Sequence, residues 1–263
     1  MHFHLPKPLH GWREFVGEVF IIVLGVLIAL GAEQLVERWH WYEQVQSGRT
    51  ALKADFIGIV ANAKERQAED KCIRARLLLL RNMLDAHADS LPALGHIGSP
   101  PERSWYPATW DSLVASDVST HMPRQEMLFY AGIANQARDT ENATKRELDD
   151  WSVLFTMVGP ARKLAPGESA QLRKALTDAA FQLNGIYLNA PQVVQSILAS
   201  GLLDRDDLKR ADAMVAPHLS GPNYRSICGP VGPPDPSRVD APYDPAVQAN
   251  PLAYFKSDVS SMK

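Results

Sequence analysis

Three metal-ligand side chains, Asp85, His87 and Asp89, stand at alternate positions in the sequence. Carboxylate and imidazole groups bind zinc and other transition metals, so this group is a natural candidate for a metal centre. On a helix, however, residues i and i+2 point about 200° apart, so the two aspartates share a face that excludes the histidine. His2 and His4 form another pair, but a chain terminus gives it no fixed geometry. With neither an HExxH nor a CxxC motif, the sequence predicts no metal site.

Nucleophilic catalysis needs a serine, threonine or cysteine activated by a neighbouring base. The chain contains no G-x-S-x-G motif, no S-x-x-K motif with partners, and no base beside either cysteine. In segment 229–234 the glycines stand among prolines, which lack the backbone amides that would bind a phosphate. The sequence therefore predicts neither a catalytic site nor a cofactor, and we expect a protein that is not an enzyme.

An aromatic group, Trp105, Tyr106 and Trp110, stands beside a proline-rich stretch. Tryptophan and tyrosine are favoured at binding hot spots, so this group is a candidate partner surface. The alternative is that the three rings close one end of the hydrophobic core.

The overall charge argues against nucleic acid as a partner. The net charge is -3 and the isoelectric point is about 6.2, whereas phosphate binding needs a concentrated basic face. One local group of cations is interpreted as the solvated face of a helix: Lys71, Arg74, Arg76 and Arg81.

Residues 15–32 predict a transmembrane helix, because they are apolar apart from Glu18. Eighteen residues of helix span about 27 Å, close to the ~30 Å hydrocarbon core of a bilayer. Aromatic side chains typical of membrane interfaces flank this segment on both sides: Trp12 before it, and Trp39, Trp41 and Tyr42 after it.

The charges around this helix predict its orientation. Lys7 and Arg13 precede it, whereas Glu33 and Glu37 follow it. By the positive-inside rule, residues 1–14 stay in the cytoplasm, and the remainder lies in the periplasm of a bacterium, outside its inner membrane. A cleaved signal peptide is the alternative, since Ala29-Leu30-Gly31 is an acceptable cleavage site. The helical periodicity continues past the apolar segment without a helix-breaking residue, and this favours an uncleaved membrane anchor.

Two features lie inside the predicted membrane helix. Gly25, Ala29 and Ala32 share one face, and small residues at such spacing permit close helix–helix packing, so a homodimer is a candidate assembly. Glu18 is an ionisable group within the membrane segment, but it lies one turn from the cytoplasmic edge. It can therefore extend to the interface, and we favour that interpretation over a functional role.

A regular stripe follows the membrane segment. From Tyr42 to Leu84, thirteen positions alternate spacings of three and four, and ten of them are apolar or aromatic. This pattern predicts one helix from the membrane to about residue 88. The exceptions Arg49, Arg66 and Asp70 disfavour a long parallel coiled coil, which would bury them. Packing against later helices of the same chain is the preferred interpretation.

The rest of the chain predicts an all-α antiparallel bundle over residues 33–216. After a loop at 91–107, helices are expected at about 109–115, from Pro123 to about Gly159, at 168–183, after Asn189, and from Asp204 with Asp207 completing a capping box. No period-two strand is found. Residues 217–263 hold nine of the nineteen prolines and predict an extended, non-helical tail.

Cys72 and Cys228 are the only cysteines in the chain. In an oxidising compartment an even count favours pairing, so we predict a disulfide that ties the tail to the long helix. Two separate buried thiols are the alternative.

The opening residues 4–13 and the apolar run 21–30 resemble a family of single-pass proteobacterial membrane proteins of unknown function. The segment Thr109-Trp110-Asp111-Ser112-Leu113 with Ser116, and Phe129-Tyr130 in a later helix, is also similar to that family. The resemblance covers the first 45 residues well and the middle of the chain loosely. It implies a location in the bacterial envelope and says nothing about activity.

Three functions fit these observations. The first is a membrane-anchored scaffold or interaction protein that docks to another membrane or envelope protein. The second is a periplasmic sensory module that works through a partner, because residues 1–14 are too few for an output domain. The third is an enzyme with an unrecognised site. The sequence favours the first.

Overall fold

α1 is a single helix, Trp12–Ala86, of 75 residues. The computed structural model describes residues 11–87 and 89–231, so the predicted segment up to residue 10 and the tail beyond residue 231 lie outside it. No proline interrupts the chain between Pro8 and Pro92, and at 1.5 Å per residue the helix is about 110 Å long. The helix ends within two residues of the predicted position.

The first third of α1 is separate from the bundle. From residue 15 to residue 40 every side chain is exposed, and Val45 is the first buried one. Among the described helices, α1 alone is long and apolar enough to cross a membrane, and its apolar window is entirely uncovered by the rest of the chain. We call the end of the bundle near residue 41 the anchor end, and the opposite end the distal end.

The predicted stripe is the buried face of α1. Between Val45 and Leu84 its positions are buried, apart from half-buried Arg49, whereas Tyr42 is exposed. The polar exceptions face later parts of the same chain: Arg49 pairs with Glu126 at 2.6 Å, and Arg66 pairs with Glu147. The all-α prediction is confirmed, as is packing of the long helix against later helices.

Residues 89–107, the strap, run back along α1 from the distal end. The strap was predicted to be a loop, but it is packed against the helix: Asn62 Nδ2 donates to the Ser104 carbonyl at 2.7 Å, and Ile97 and Trp105 are buried. It leads into α2, Ala108–Ala115, whose Thr109 amide donates to Asp55 at 2.9 Å. A short 3₁₀ helix, Val118–His121, then reaches the anchor end.

α3, Arg124–Leu154, runs parallel to α1, as their ion pairs require, and ends in a 3₁₀ turn, Phe155–Met157. α4, Glu168–Ala199, returns antiparallel to α3, since Ser196 Oγ donates to Gln136 at 3.0 Å near one end and Arg146 Nε donates to Gln182 at 3.3 Å further along.

The prediction of two helices in place of α4 was wrong. Pro191 lies inside the helix, where it cannot donate to the carbonyl of Tyr187. Both residues are on the exposed side, so water can bind that carbonyl. The buried stripe continues across the proline through Ile186, Ala190 and Val193, and burial of that face holds the helix together.

α5, Arg205–Val215, begins as predicted. Asp204 accepts hydrogen bonds from the amides of Asp206 and Asp207, and the Asp207 side chain completes the capping box. Lys53 on α1 pairs with Asp207 at 2.6 Å, so α5 starts close to the anchor end of the bundle.

The tail prediction needs a correction. A 3₁₀ helix, His218–Ser220, and α6, Pro222–Cys228, occupy its first part. Pro222 stands at the start of α6, where its missing N–H has no helical partner to lose, so the proline initiates a helix. A second correction is a two-residue ladder, in which β1 (Ser90–Leu91) pairs antiparallel with β2 (Arg162–Lys163). Two residues are too few for an alternating pattern.

Candidate functional site

A layer of buried charged and polar side chains divides the hydrophobic core in two. The cluster nearer the anchor end includes Leu52 and Phe56, and the distal cluster includes Ile73 and Leu80. Between them, the following residues are buried, and we call them the polar layer: Glu65, Arg66, Glu69, Asp70, Thr140, Glu141, Thr144 and Glu147. All eight belong to α1 or α3.

An ion pair between Arg66 and Glu147 joins α1 to α3 within this layer. The Glu147 side chain is fully buried, and burial raises the pKa of its carboxyl although the Arg66 charge acts in the opposite direction. Within the part of the chain that the structure describes, Arg66 Nε and Nη1 and Glu147 Oε1 have no hydrogen-bond partner. Buried groups without partners cost roughly 1 to 3 kcal/mol each, so this ion pair is poorly compensated.

Glu69 is the most isolated charged group of the layer. It is 0% exposed, and among the described residues neither carboxylate oxygen has a hydrogen-bond partner. Burial, and then the negative charge of Glu65, raise the pKa of Glu69 to about 7, while Arg66 and Arg103 act in the opposite direction. Glu69 therefore changes charge close to neutral pH.

Glu65, one turn from Glu69, is in contrast well paired. The Arg103 guanidinium binds it with two hydrogen bonds, Nε to Oε2 at 2.7 Å and Nη2 to Oε1 at 3.0 Å. His218 Nδ1 lies 3.4 Å from Glu65 Oε1. Glu65 thus connects α1 to the strap through Arg103 and to the segment before α6 through His218. A change in the charge of Glu69 therefore changes the electrostatic potential at this junction.

Asp70 connects the layer to α4. One oxygen accepts a hydrogen bond from Arg74 Nε at 2.8 Å, and Oδ1 has no partner. Arg74 also donates to Asn184 at 2.6 Å, and its guanidinium lies 5.3 Å from the centre of the Tyr187 ring.

These contacts define what the layer can do chemically. The layer holds five carboxylates but one cation, Arg66, which pairs with Glu147. Three of the other carboxylates pair with cations from outside the layer, and among the described residues none donates to Glu69. Such a group exchanges a proton near neutral pH. Glu69 is therefore the group of the layer that is placed to bind and release a proton near neutral pH.

A second acidic group lies on the surface between α3 and α4. A hollow of about 230 Å³ is lined by Arg146, Asp149, Asp150, Asp178 and Gln182. Partial burial, followed by the charge of Asp178, raises the pKa of Asp150 to about 6, although Lys174 lowers it.

Arg76 joins α1 to the strap and to the end of α6. It is buried, and it binds carbonyl oxygens of two separate segments: Ile97 in the strap, Ile227 at 3.1 Å, and Gly229. Without a carboxylate partner, burial lowers the pKa of its guanidinium. The interpretation of Arg76 as part of a solvated face was wrong, whereas Lys71 and Arg81 are exposed.

The two cysteines lie next to this junction. The sulfur atoms of Cys72 and Cys228 are 2.06 Å apart, the distance of a disulfide, and their Cα atoms are 4.8 Å apart. This places α6 against α1, where the predicted bond requires it.

The predicted aromatic partner surface is not formed. Trp105 is 2% exposed and Trp110 is 5% exposed, so both belong to the core, as the alternative interpretation held. The Trp105 amide donates to Glu141 at 2.6 Å, and the Trp110 ring packs edge-on to Tyr130 at 6.2 Å. Only Tyr106 is exposed, and its hydroxyl donates to Asp111 on α2.

The predicted membrane-interface residues divide into two sets. Trp12, Trp39 and Tyr42 are exposed on α1, as an interface role requires. Trp41 is half-buried and stacks on His121 with a ring separation of 3.7 Å, so it belongs to the anchor end of the bundle. The residues of the predicted helix–helix face, and the glutamate within the apolar segment, are all exposed on α1: Gly25, Ala29, Ala32 and Glu18.

The residues first considered for a metal are not brought together. Asp85 pairs with Arg173 of α4, and His87 caps the end of α1. Within residues 11–87 and 89–231, no group of three histidine, cysteine or carboxylate side chains is placed to hold a metal ion.

Sequence reasoning missed the polar layer as a site. The available signal was weak: Arg66 and Asp70 interrupted the apolar stripe, and Glu147 lay within a highly charged stretch of α3. Neither pattern indicates which carboxylate lacks a donor, because Glu147, which pairs with Arg66, and Arg103, which pairs with Glu65, come from distant segments.

Comparison of the chain with protein-family models, with curated proteins and with solved structures finds no match.

Proposed function

We propose that this protein is a membrane-anchored interaction protein of the bacterial envelope. In this proposal its first helix crosses the inner membrane, and the bundle stands on the periplasmic side and docks to another membrane or envelope protein. The observation that supports it is the continuity of α1. The same unbroken helix carries the uncovered apolar segment 15–32 and the buried face from Val45 to Leu84.

Because the helix is continuous, it fixes the distance between the bundle and the proposed membrane. Trp41 already contacts the bundle through His121, and it lies about 14 Å beyond Ala32 at 1.5 Å per residue. Because the headgroup zone adds only about 5 to 8 Å beyond the hydrocarbon core, the anchor end would lie just outside that zone, with Trp39 and Tyr42 exposed beside it. A bundle held this close to the membrane is suited to docking on a neighbouring membrane protein.

The proposed orientation rests on charge. Lys7 and Arg13 precede the apolar segment, and Glu33 and Glu37 follow it, so the positive-inside rule places the bundle in the periplasm. Resemblance of the opening residues to proteobacterial single-pass proteins agrees with this location. Dimerisation through Gly25, Ala29 and Ala32 is part of the same proposal.

The test is affinity purification of the full chain from native membranes in mild detergent. We expect a second membrane or envelope protein to copurify in a fixed molar ratio through a following size-exclusion step. A protein that elutes alone, at the detergent-corrected mass of its own chain or homodimer, would overturn the proposed function.

A sensory role is the second candidate, and Glu69 is the observation that favours it. A carboxyl with a pKa of about 7 lies beside the junction of α1, the strap and the segment before α6. A proton gained there could change the packing of a helix that continues to the membrane. Copurification that depends on pH between 6 and 8, and loses that dependence in Glu69→Gln, would favour this candidate over a constant scaffold.

A further inference from the structure

An exposed apolar surface lies between α1 and α4 in the distal half of the bundle, and we call it the outer patch. It consists of Leu78 on α1 and Phe181 and Leu188 on α4, which are 57%, 71% and 61% exposed. The core beneath is already filled by Leu77, Leu80 and other members of the distal cluster. The outer patch therefore contributes little to the fold.

The register of the two helices brings these side chains to one side of the bundle. α1 and α4 run antiparallel, since Arg173 binds the Leu84 carbonyl at 3.0 Å and Arg74 binds Asn184 at 2.6 Å. Leu78 is one helical turn from Arg74, and Phe181 and Leu188 are one turn on either side of Asn184. The three apolar side chains consequently border the same groove.

The charges beside the outer patch are mostly basic. Lys71 and Arg81 share the helix face of Leu78, at spacings of seven and three, and neither has an ion-pair partner among the described residues. The other cations of this region are paired: Arg74 with Asp70, Arg173 with Asp85, and Lys174 with Asp178. The groove thus offers apolar contacts and two cations without a counterion.

The apolar contacts and the two unpaired cations together favour one kind of binding partner. A symmetric contact with a second copy would bring the same cations, Lys71 and Arg81, together, and like charges in a closed interface are unfavourable. A groove between two antiparallel helices fits the apolar face of a third helix, read at positions i, i+3, i+4 and i+7. The unpaired cations require that this helix carry acidic residues beside its apolar face.

We propose that the outer patch binds an acidic amphipathic helix of a partner membrane protein. Its apolar face covers Leu78, Phe181 and Leu188, and its carboxylates pair with Lys71 and Arg81. At 1.5 Å per residue, Leu78 lies about 70 Å beyond Ala32, so the partner must have a periplasmic domain that reaches this height. This inference rests on the proposed function, which it deepens by naming the surface and the kind of partner.

The experiment is photo-crosslinking in cells with a photoreactive amino acid at position 181 of the full chain. The matched control places the same amino acid at Asn142, which is exposed on α3. We expect position 181, and not position 142, to give an adduct with one membrane protein. Mass spectrometry should map the crosslink to a periplasmic helix with aspartate or glutamate beside its apolar face.

Charge reversal then tests the two cations. Lys71→Glu with Arg81→Glu should reduce the adduct at least tenfold, and a lysine in place of the partner's facing carboxylate should restore it. The control with the same change of charge is Arg124→Glu with Lys209→Glu, on exposed positions of α3 and α5. Circular dichroism melting of both double variants shows that the fold is retained.

Several outcomes would overturn the inference: an adduct with a second copy, with residues 232–263 of the same chain, or with lipid, equal adducts at positions 142 and 181, or no adduct. The proposed function fails separately. It fails when the unmodified protein copurifies with nothing, whereas a partner that copurifies undiminished with Lys71→Glu/Arg81→Glu refutes the outer patch alone.

Discussion

The charged form of Glu69 has to be accommodated without a hydrogen bond, because no residue that the structure describes donates to either of its oxygens. Arg66 and Arg103 supply positive charge nearby but no contact, and Glu65 supplies a negative charge one turn away. The folded protein therefore retains the proton of Glu69 at pH values where the unfolded chain has lost it. The free energy of unfolding must then fall as pH rises between the two pKa values.

We predict that Glu69→Gln stabilises the protein at pH 8 by roughly 2 to 3 kcal/mol, since each pKa unit corresponds to about 1.4 kcal/mol. The pKa of Glu69 rises from 4.5 in the unfolded chain to about 7 in the folded one. The free energy of unfolding of the unmodified protein should accordingly fall as pH rises from about 4.5 through 7. Urea unfolding in detergent at several pH values measures it.

Below about pH 4 the two proteins should converge, because Glu69 is then protonated in both the folded and the unfolded state of the unmodified chain. Glu102→Gln, at an exposed position of the strap, is the control and should leave the pH profile unchanged. A Glu69→Gln protein whose stability runs parallel to that of the unmodified protein from pH 5 to 8 would contradict the prediction. Asp150, whose pKa is raised to about 6, contributes a slope of the same sign in both proteins.

Gly98 gives a second prediction at the scale of one residue. Its φ is +68°, and a Cβ atom there would lie 2.6 Å from the carbonyl oxygen of Ser226 on α6. Gly98→Ala should therefore destabilise the protein by about 2 kcal/mol or more, through left-handed strain plus the displacement of α6.

Gly201 is the matched control for this change. Its φ is +69°, but nothing lies within 4 Å of a Cβ atom built there. Gly201→Ala should cost only the backbone strain, about 1 kcal/mol. Equal losses of thermal stability in the two variants would mean that the contact between the strap and α6 does not stabilise the fold.

At the scale of elements, α6 is held by covalent and polar contacts more than by its own apolar surface. Among the residues of α6, Ile227 is the large apolar side chain buried in the core. Arg76 binds the carbonyls of Ile227 and Gly229, and Cys228 lies at bonding distance from Cys72. Loss of the disulfide should therefore loosen α6 before it affects the rest of the bundle.

We predict that the protein isolated from the periplasmic side carries this disulfide, and that Cys72→Ser with Cys228→Ser lowers stability. The two cysteines are 156 residues apart, and closing so long a loop gives at most roughly 4 to 5 kcal/mol. Alkylation of the unfolded, unreduced protein followed by mass spectrometry should find neither cysteine modified. Two alkylated cysteines would refute the bond.

At the scale of the whole molecule, we predict the orientation in the membrane from the charges that flank residues 15–32. A reporter fused after Lys263 should be active when it requires the periplasm and inactive when it requires the cytoplasm. We also predict that residues 15–32 are not cleaved off, so the mass of the mature protein should match that of the full chain. A mature protein that starts at Ala32 or Glu33 would instead identify residues 15–31 as part of a signal peptide.

The sequence by itself determined the features that depend on neighbours along one helix. The apolar segment, the stripe from Val45 to Leu84 and the capping box at Asp204 are local patterns, since residues three and four apart share a helix face. Local reasoning went wrong where burial of a face outweighed a helix breaker, at Pro191, and where a proline began a helix, at Pro222.

Only the tertiary structure decided the partners of each charged and aromatic group. Arg66 meets Glu147 from 81 residues away, and Arg76 meets the Ile227 carbonyl from 151 residues away. Trp105 and Trp110 became core residues because the strap folds back along α1, which no periodicity of the strap itself specifies. The protonation of Glu69 also depends on the tertiary structure. Its pKa is set by the cations that the fold brings close and by the lack of a nearby hydrogen-bond donor among the described residues.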